Sequence, residues 1–131
     1  MAIQYSVNHR TNSMTQLATD VGTNCVIKVF TGTVPANCGT ADTGTLLVTF
    51  AGNATQFGTA SSGVLTVSAI ANATASATGT AGYVRIYPSS ATSTNAVIQG
   101  SATTDFAFTS TSITSGQTVA FTSMTVTAFG A

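Results

Sequence analysis

Residues 79–100 read GTAGYVRIYPSSATSTNAVIQG and hold the densest β-strand signal of the chain. Within residues 82–87 successive side chains alternate between the two faces of a strand. One face carries two tyrosines and an arginine: Tyr83, Arg85 and Tyr87. Pro88 lacks an N–H and has a fixed φ, so it favours the end of the strand. Residues 89–95 are polar and residues 96–99 can return as a second strand, so the stretch predicts a β-hairpin.

The length and charge of the chain limit its possible partners. The 131 residues suit one domain with a single core. Three basic and three acidic side chains give a net charge of zero, and phosphate binding needs clustered Lys or Arg, so we expect no nucleic-acid partner. The sequence has no apolar window as long as a membrane span and no secretory signal pattern at its start, which predicts cytosolic synthesis and no membrane partner. A chain with only six charged side chains is typical of either a subunit of a large assembly or an extracellular β-domain.

Few side chains could carry chemistry. Cys25 and Cys38 form neither a CxxC pair nor a cluster with histidine, so we expect two free thiols and no metal. His9 is the only histidine and is expected to be exposed and alone. A hydrolase needs a base near a nucleophile or two carboxylates at a defined separation, and no such constellation is visible. The sequence predicts that the protein is not an enzyme and needs no cofactor.

The beginning of the chain differs from the rest in its pattern. We expect residues 1–24 to form an arm and a short helix, followed by a β-sandwich domain at residues 25–131. Residues 1–10 alternate loosely, with Ile3 and Tyr5 on one face, which predicts a first strand or an extended arm.

A helix is predicted next, over residues 11–21. Its apolar side chains recur at helical spacing, Asn12 or Ser13 can cap its N-terminus, and Gly22 can end it. We expect its apolar stripe to lie across the edge of a sheet or an open end of the sandwich.

The remaining sequence consists of short stretches rich in Thr and Val, separated by turns. The strands predicted besides the hairpin are residues 25–30, 46–50 and 64–70 and a last strand near the C-terminus. Residues 31–45 contain turn residues and predict a long surface loop that could contact a partner.

In the last strand the apolar alternation changes phase between Phe121 and Met124, which favours a β-bulge near residues 122–123 over burial on both faces. About eight strands and one helix predict an all-β fold: a single antiparallel β-sandwich or jelly roll with one short helix.

The strand phases also predict which residues are buried and which make contacts. The expected core is Val26, Val29, Leu47, Val84, Ile86, Ile98, Phe106, Phe108 and Phe121. The candidate interface is Ile3, Tyr5, Tyr83, Arg85 and Tyr87. For Arg85 two roles remain open: contact with another subunit, or a local ion pair with Asp42 or Asp105.

Four stretches form a series that can be compared with known families. They are IKVFTGTVPA at residues 27–36, GTLLVT at 44–49, GTAGYVRIY at 79–87 and VIQG at 97–100, followed by a closing strand rich in Thr and Val. This series resembles a family of small structural proteins of tailed bacteriophages that are encoded among head genes. The resemblance implies a virion protein, with decoration or cement of the assembled capsid as its role.

In that context we expect the major capsid protein to be the partner, the capsid surface to be the location, and the host cytoplasm to be the place of synthesis. We also expect a homo-oligomer, either a trimer or a dimer, because a closed oligomer can touch several capsid chains at once. The alternative is a receptor- or glycan-binding module of a tail or head fibre, in which Tyr83 and Tyr87 would stack on sugar rings.

Overall fold

The structure, a computed structural model, describes residues 3–53, 56–67, 70–102, 106–108, 110–123 and 125–127. These residues form one helix and thirteen strands, and every strand pairing is antiparallel. The elements are α1 (Val7–Val21), β1 (Val26–Phe30), β2 (Leu46–Ala51), β3 (Phe57–Ser61), β4 (Val64–Val67), β5 (Ala73–Thr74), β6 (Gly79–Thr80), β7 (Tyr83–Tyr87), β8 (Ile98–Ser101), β9 (Ala107–Phe108), β10 (Ser112–Ile113), β11 (Thr118–Val119), β12 (Phe121–Ser123) and β13 (Thr125–Thr127). The prediction of antiparallel sheets with a single short helix is confirmed.

The largest sheet has four strands in the order β2-β1-β7-β8. Strand β1 pairs with a neighbour on each side and is therefore central in the sheet. Strands β7 and β8 form the predicted hairpin, with Tyr83 opposite Ser101 and Ile86 opposite Ile98. Strand β7 ends at Tyr87, directly before Pro88, as the missing proline N–H predicts.

The two faces of this sheet differ in character. Because Ile27 of β1 lies opposite Phe50 of β2 and Ile86 of β7, these side chains share one face, and all three are fully buried in the apolar core. Lys28 lies opposite Arg85 and therefore belongs to the other face. That second face is polar, and the candidate site lies on it.

The smaller sheets are a three-stranded sheet in the order β13-β4-β3 and the two-stranded pairs β10-β6, β11-β5 and β12-β9. The predicted last strand is divided into β11, β12 and β13, which pair with different partners. Its register is irregular between Phe121 and Ser123, so the predicted bulge is confirmed.

The start of α1 differs from the prediction. The helix begins at Val7, and its N-cap is Ser6, whose hydroxyl accepts a hydrogen bond of 3.2 Å from the His9 N–H. The prediction of a strand or arm over residues 1–10 is therefore wrong for residues 7–10, and Asn12 and Ser13 lie inside the helix. The alternation that suggested a strand ends at the first helical residue. The end of the helix at Gly22 is confirmed: this glycine has φ +70° and its N–H bonds the Ala18 carbonyl at 3.0 Å.

The helix packs on β3 and β4. Strand β3 is an edge strand, so the helix lies across the edge of a sheet, as predicted for its apolar stripe. Val21 is fully buried, and Met14 and Leu17 pack against the core from partly buried positions. Residues 71–80 contain β5 and β6 and bury Ala75.

The predicted core is confirmed in part. The residues found buried as predicted are Val29, Leu47, Val84, Ile86 and Phe106. Val26, which lies opposite Tyr87 at the start of β1, and Ile98, on the edge strand β8, are only half-buried. The side chains of Phe108 and Phe121 and residues 68–69 of the predicted strand 64–70 lie outside the described residues.

Candidate functional site

The predicted contact face of β7 is covered within the chain itself. Tyr83, Arg85 and Tyr87 are 0% exposed. The loop of residues 32–44, called the covering loop below, returns across this face, and its base is closed by a hydrogen bond of 3.0 Å from the Thr31 N–H to the Thr45 carbonyl. The prediction that these three side chains form an interface is therefore wrong for the chain as folded, because the covering loop and neighbouring segments already bond their polar groups.

Arg85 uses all five of its N–H donors inside the chain. Its Nη1 lies 2.7 Å from Asp42 Oδ1 and 3.2 Å from the Ser93 carbonyl. Its Nη2 lies 2.9 Å from the Asn37 carbonyl and 2.9 Å from Gln99 Oε1, which also accepts from Nε at 3.1 Å. One guanidinium therefore joins the covering loop, the loop after β7 and strand β8. Of the roles left open for Arg85, the local pair with Asp42 is the one found; Asp105 lies outside the described residues.

Asp42 brings a second group of β7 into the cluster. Its carboxylate, only 16% exposed, also accepts the Tyr87 hydroxyl, and its N–H donates to the Ser93 carbonyl at 3.1 Å. Burial raises the pKa of the Tyr87 hydroxyl, and the hydrogen bond to the anionic Asp42 raises it further. The Lys28 ammonium lies 5.1 Å from the centroid of the Tyr87 ring, at cation–π distance.

Two further contacts hold the covering loop near its ends. The Tyr83 hydroxyl donates to the Thr43 carbonyl at 2.5 Å and accepts from the Thr43 N–H at 2.9 Å, while its ring stacks on Phe30 at 5.0 Å. Gln99 Nε2 donates to the Pro35 carbonyl at 2.8 Å. The cluster is therefore a scaffold: the charged and polar groups of β7 have partners in the chain and are not free to bind a substrate.

A close backbone approach fixes the start of the covering loop. The Gly82 N–H donates to the Phe30 carbonyl at 2.8 Å, and a Cβ at Gly82 would overlap the Gly32 carbonyl oxygen. Only glycine fits there without moving the backbone.

The tip of the covering loop lies at the surface, as predicted for a contact loop. Asn37 and Thr40 are exposed and Cys38 is half-buried. Both cysteines are free thiols; Cys25 is fully buried, and burial raises the pKa of its thiol.

The N-terminal apolar segment, residues 3–7, is the other feature that suggests a contact. Ile3 is 79% exposed, Tyr5 48% and Val7 50%, and among the side chains whose burial the structure describes they are the only exposed large hydrophobic ones. The predicted interface residues Ile3 and Tyr5 are thus at the surface. The Tyr5 ring lies 4.8 Å from the His9 ring, and Arg10 Nε donates to the Tyr5 carbonyl at 3.3 Å.

Helix α1 anchors this segment to the β-sheet. Thr11 Oγ1 accepts a hydrogen bond of 2.9 Å from the Gly63 N–H in the β3–β4 turn. The Arg10 side chain lies directly over Gly63, which has φ +77° and no room for a Cβ. The apolar segment therefore projects from a fixed base.

Other parts of the described chain offer little for chemistry. A cavity of about 230 Å³ is lined by Ser110, Gln117, Thr118, Val119 and Ala120, none of which titrates. Within the described ranges no three His, Cys, Asp or Glu side chains come together to hold a metal ion, and no helix is long and apolar enough to cross a membrane.

Comparisons of the chain with protein-family models, with curated proteins and with solved structures found no match. The likeness to tailed-phage structural proteins therefore rests on the sequence patterns quoted above.

Proposed function

We propose that this protein is a structural component of a tailed-phage virion that binds the assembled head from outside and stabilises it, as a decoration or cement protein. The major capsid protein is its proposed partner, and the capsid surface is its proposed location after synthesis in the host cytoplasm. The observation that carries the proposal is the exposed N-terminal apolar segment on its fixed base; the phage context comes from the sequence resemblance.

The exposed side chains of this segment favour a protein partner. Burying a large apolar side chain contributes about 1.5–3 kcal/mol, and Ile3, Tyr5 and Val7 each leave about half or more of their surface in water. They lie within five residues of one another, so a single partner surface could cover all three.

The charge distribution supports binding by short-range contacts. Of the six charged side chains, Arg85 and Asp42 are paired with each other between strand β7 and the covering loop. A surface with so little charge steers partners weakly over long distances, so recognition depends on shape, uncharged hydrogen bonds and apolar burial. A shell protein, which is held close to its neighbours in many copies, suits this kind of recognition.

Two finer features belong to the same proposal. The sheets are proposed to pack as a β-sandwich, with the apolar face of the four-stranded sheet turned inward. The protein is proposed to act as a dimer or trimer, because several weak contacts with the shell then act together.

The glycan-binding alternative loses its structural support. It depended on stacking of sugar rings on Tyr83 and Tyr87, and both are fully buried.

The test uses the phage whose genome encodes this chain. Heads made without the protein should assemble but release DNA at a lower temperature and after milder osmotic shock than wild-type heads. Purified protein added back should restore them, whereas heat-denatured protein should not, and intact virions should contain hundreds of copies. Heads that are equally robust without the protein, with few copies per virion and failed adsorption to cells, would assign it to the receptor-binding class.

A further inference from the structure

The N-terminal apolar segment is bordered by unpaired positive charge. The Arg10 guanidinium bonds the Tyr5 carbonyl, but it has no carboxylate partner in the part of the chain that the structure describes, where the only ion pair is Arg85–Asp42. The acidic residue of the same helix, Asp20, lies ten positions further on, about 15 Å along the axis, and accepts a hydrogen bond of 2.9 Å from Gln16.

The start of helix α1 adds to this positive character. Its first turn contains no acidic side chain, so only the neutral hydroxyl of Ser6 faces the partial positive charge of the helix N-terminus. Three apolar side chains and two sources of positive potential thus occupy the same end of the molecule.

We propose that the N-terminal apolar segment docks into an apolar groove rimmed by carboxylates on the surface of the capsid subunit, with Arg10 as the residue that selects the acidic rim. This inference rests on the proposed function and specifies the chemistry of the partner. Apolar burial supplies most of the affinity, and the guanidinium discriminates between grooves of similar shape.

The same charges argue against two other occupants. In a dimer centred on this segment, Arg10 and the helix N-terminus would lie near the two-fold axis and face their own counterparts, which is repulsive. An anionic lipid surface attracts clusters of several basic residues, whereas the whole chain contains three Lys and Arg together.

The experiment measures binding of purified protein to heads that lack it, by co-sedimentation over a range of salt concentrations. The double variant Ile3→Ser/Tyr5→Ser should lose binding by about a hundredfold or more, because it removes two of the three apolar contacts. Arg10→Gln should bind about tenfold more weakly at low salt and lose most of the salt dependence of the wild type. Arg10→Lys should keep much of that salt dependence, and Asp20→Asn, at the far end of the helix, is the matched control and should bind like the wild type. Circular dichroism checks that each variant keeps the helix and the sheets.

Each result decides between the claims. If Arg10→Gln binds like the wild type at every salt concentration, the acidic rim is refuted. If the double variant binds like the wild type, docking through this segment is refuted while the head-binding function stands. If the wild-type protein does not bind heads at all, both proposals fall. Self-association that the double variant abolishes would assign the segment to a second copy, and binding to phosphatidylglycerol vesicles that the double variant abolishes would assign it to lipid; either result overturns the inference.

Discussion

Replacing Arg85 by glutamine tests whether the buried cluster holds the covering loop. The substitution removes a guanidinium that makes five hydrogen bonds and one ion pair. The Asp42 carboxylate of the covering loop then loses its cation, the Asn37 carbonyl loses the guanidinium as its donor, and the Ser93 carbonyl keeps only the Asp42 N–H. Glutamine is shorter than arginine and cannot reach all of these acceptors.

The expected loss of stability follows from this burial. Breaking a buried ion pair by removing one partner costs about 3–5 kcal/mol, because the other charge remains desolvated. Asp42 keeps 16% of its side-chain surface exposed and can regain some hydration, so we expect the lower end, about 3 kcal/mol. For a chain of this length 1 kcal/mol corresponds to roughly 4 °C in melting temperature, which predicts a decrease of about 12 °C.

The assay is urea and thermal unfolding followed by circular dichroism. Arg10→Gln is the matched control, because it makes the same side-chain change near the surface, where the Arg10 side chain has one hydrogen bond and no ion pair among the described residues. It should lower the free energy of unfolding by less than about 1 kcal/mol. A double-mutant cycle with Asp42→Asn should give a coupling energy above about 1 kcal/mol. If Arg85→Gln were no more destabilising than Arg10→Gln, the cluster would not be what holds the loop.

Three further changes have measurable outcomes. Ile86→Ala should lower the free energy of unfolding, measured with urea, by about 2–5 kcal/mol because the Ile86 side chain is fully buried. Ile98→Ala should lower it by less, because Ile98 is half-buried on the neighbouring strand. Equal losses would contradict the assignment of the core face. Because the pKa of Tyr87 is raised in the folded state, the unfolded state loses this proton first, and stability should fall as the pH rises above about 10, the usual pKa of tyrosine. Tyr87→Phe should therefore leave the tyrosinate absorbance of the folded protein unchanged up to about pH 11; a clear decrease of that absorbance would contradict the raised pKa of Tyr87. A thiol reagent should label Cys38 in the native protein and the second, buried thiol only on unfolding; a native mass two units low would instead indicate a disulfide.

Features set by neighbouring residues could be predicted from the sequence. The hairpin follows from alternation between Tyr83 and Tyr87 and from the proline that ends the strand. The end of α1 follows from Gly22, because a left-handed position after a helix favours glycine. The bulge after Phe121 follows from a change of apolar phase that a regular strand cannot accommodate.

The features that the sequence left open or predicted wrongly depend on distant residues or on two competing local signals. Arg85 and Asp42 are 43 positions apart, and no local pattern shows that the covering loop would bring them together. One signal was present: an arginine at the centre of a strongly apolar strand, in a chain with few charges, needs a buried partner. At the N-terminus, alternation and helix capping both fit the sequence, and the Ser6 cap extends the helix to Val7.

The buried cluster and the N-terminal apolar segment place charge inside and apolar surface outside, the reverse of the common pattern. A buried ion pair is stable only when every donor has an acceptor at a suitable angle, so Arg85 restricts the covering loop to one geometry before any partner is present. The exposed side chains of Ile3 and Tyr5 gain free energy only when a partner removes them from water. Stability and head binding should therefore respond to different substitutions. Arg85→Gln should lower the melting temperature, whereas Ile3→Ser/Tyr5→Ser should change it by less than about 2 °C, since exposed side chains contribute little to folding, and should weaken binding to heads by about a hundredfold or more. If the double variant unfolded as readily as Arg85→Gln, the segment would belong to the folded core of the protein rather than to a contact surface.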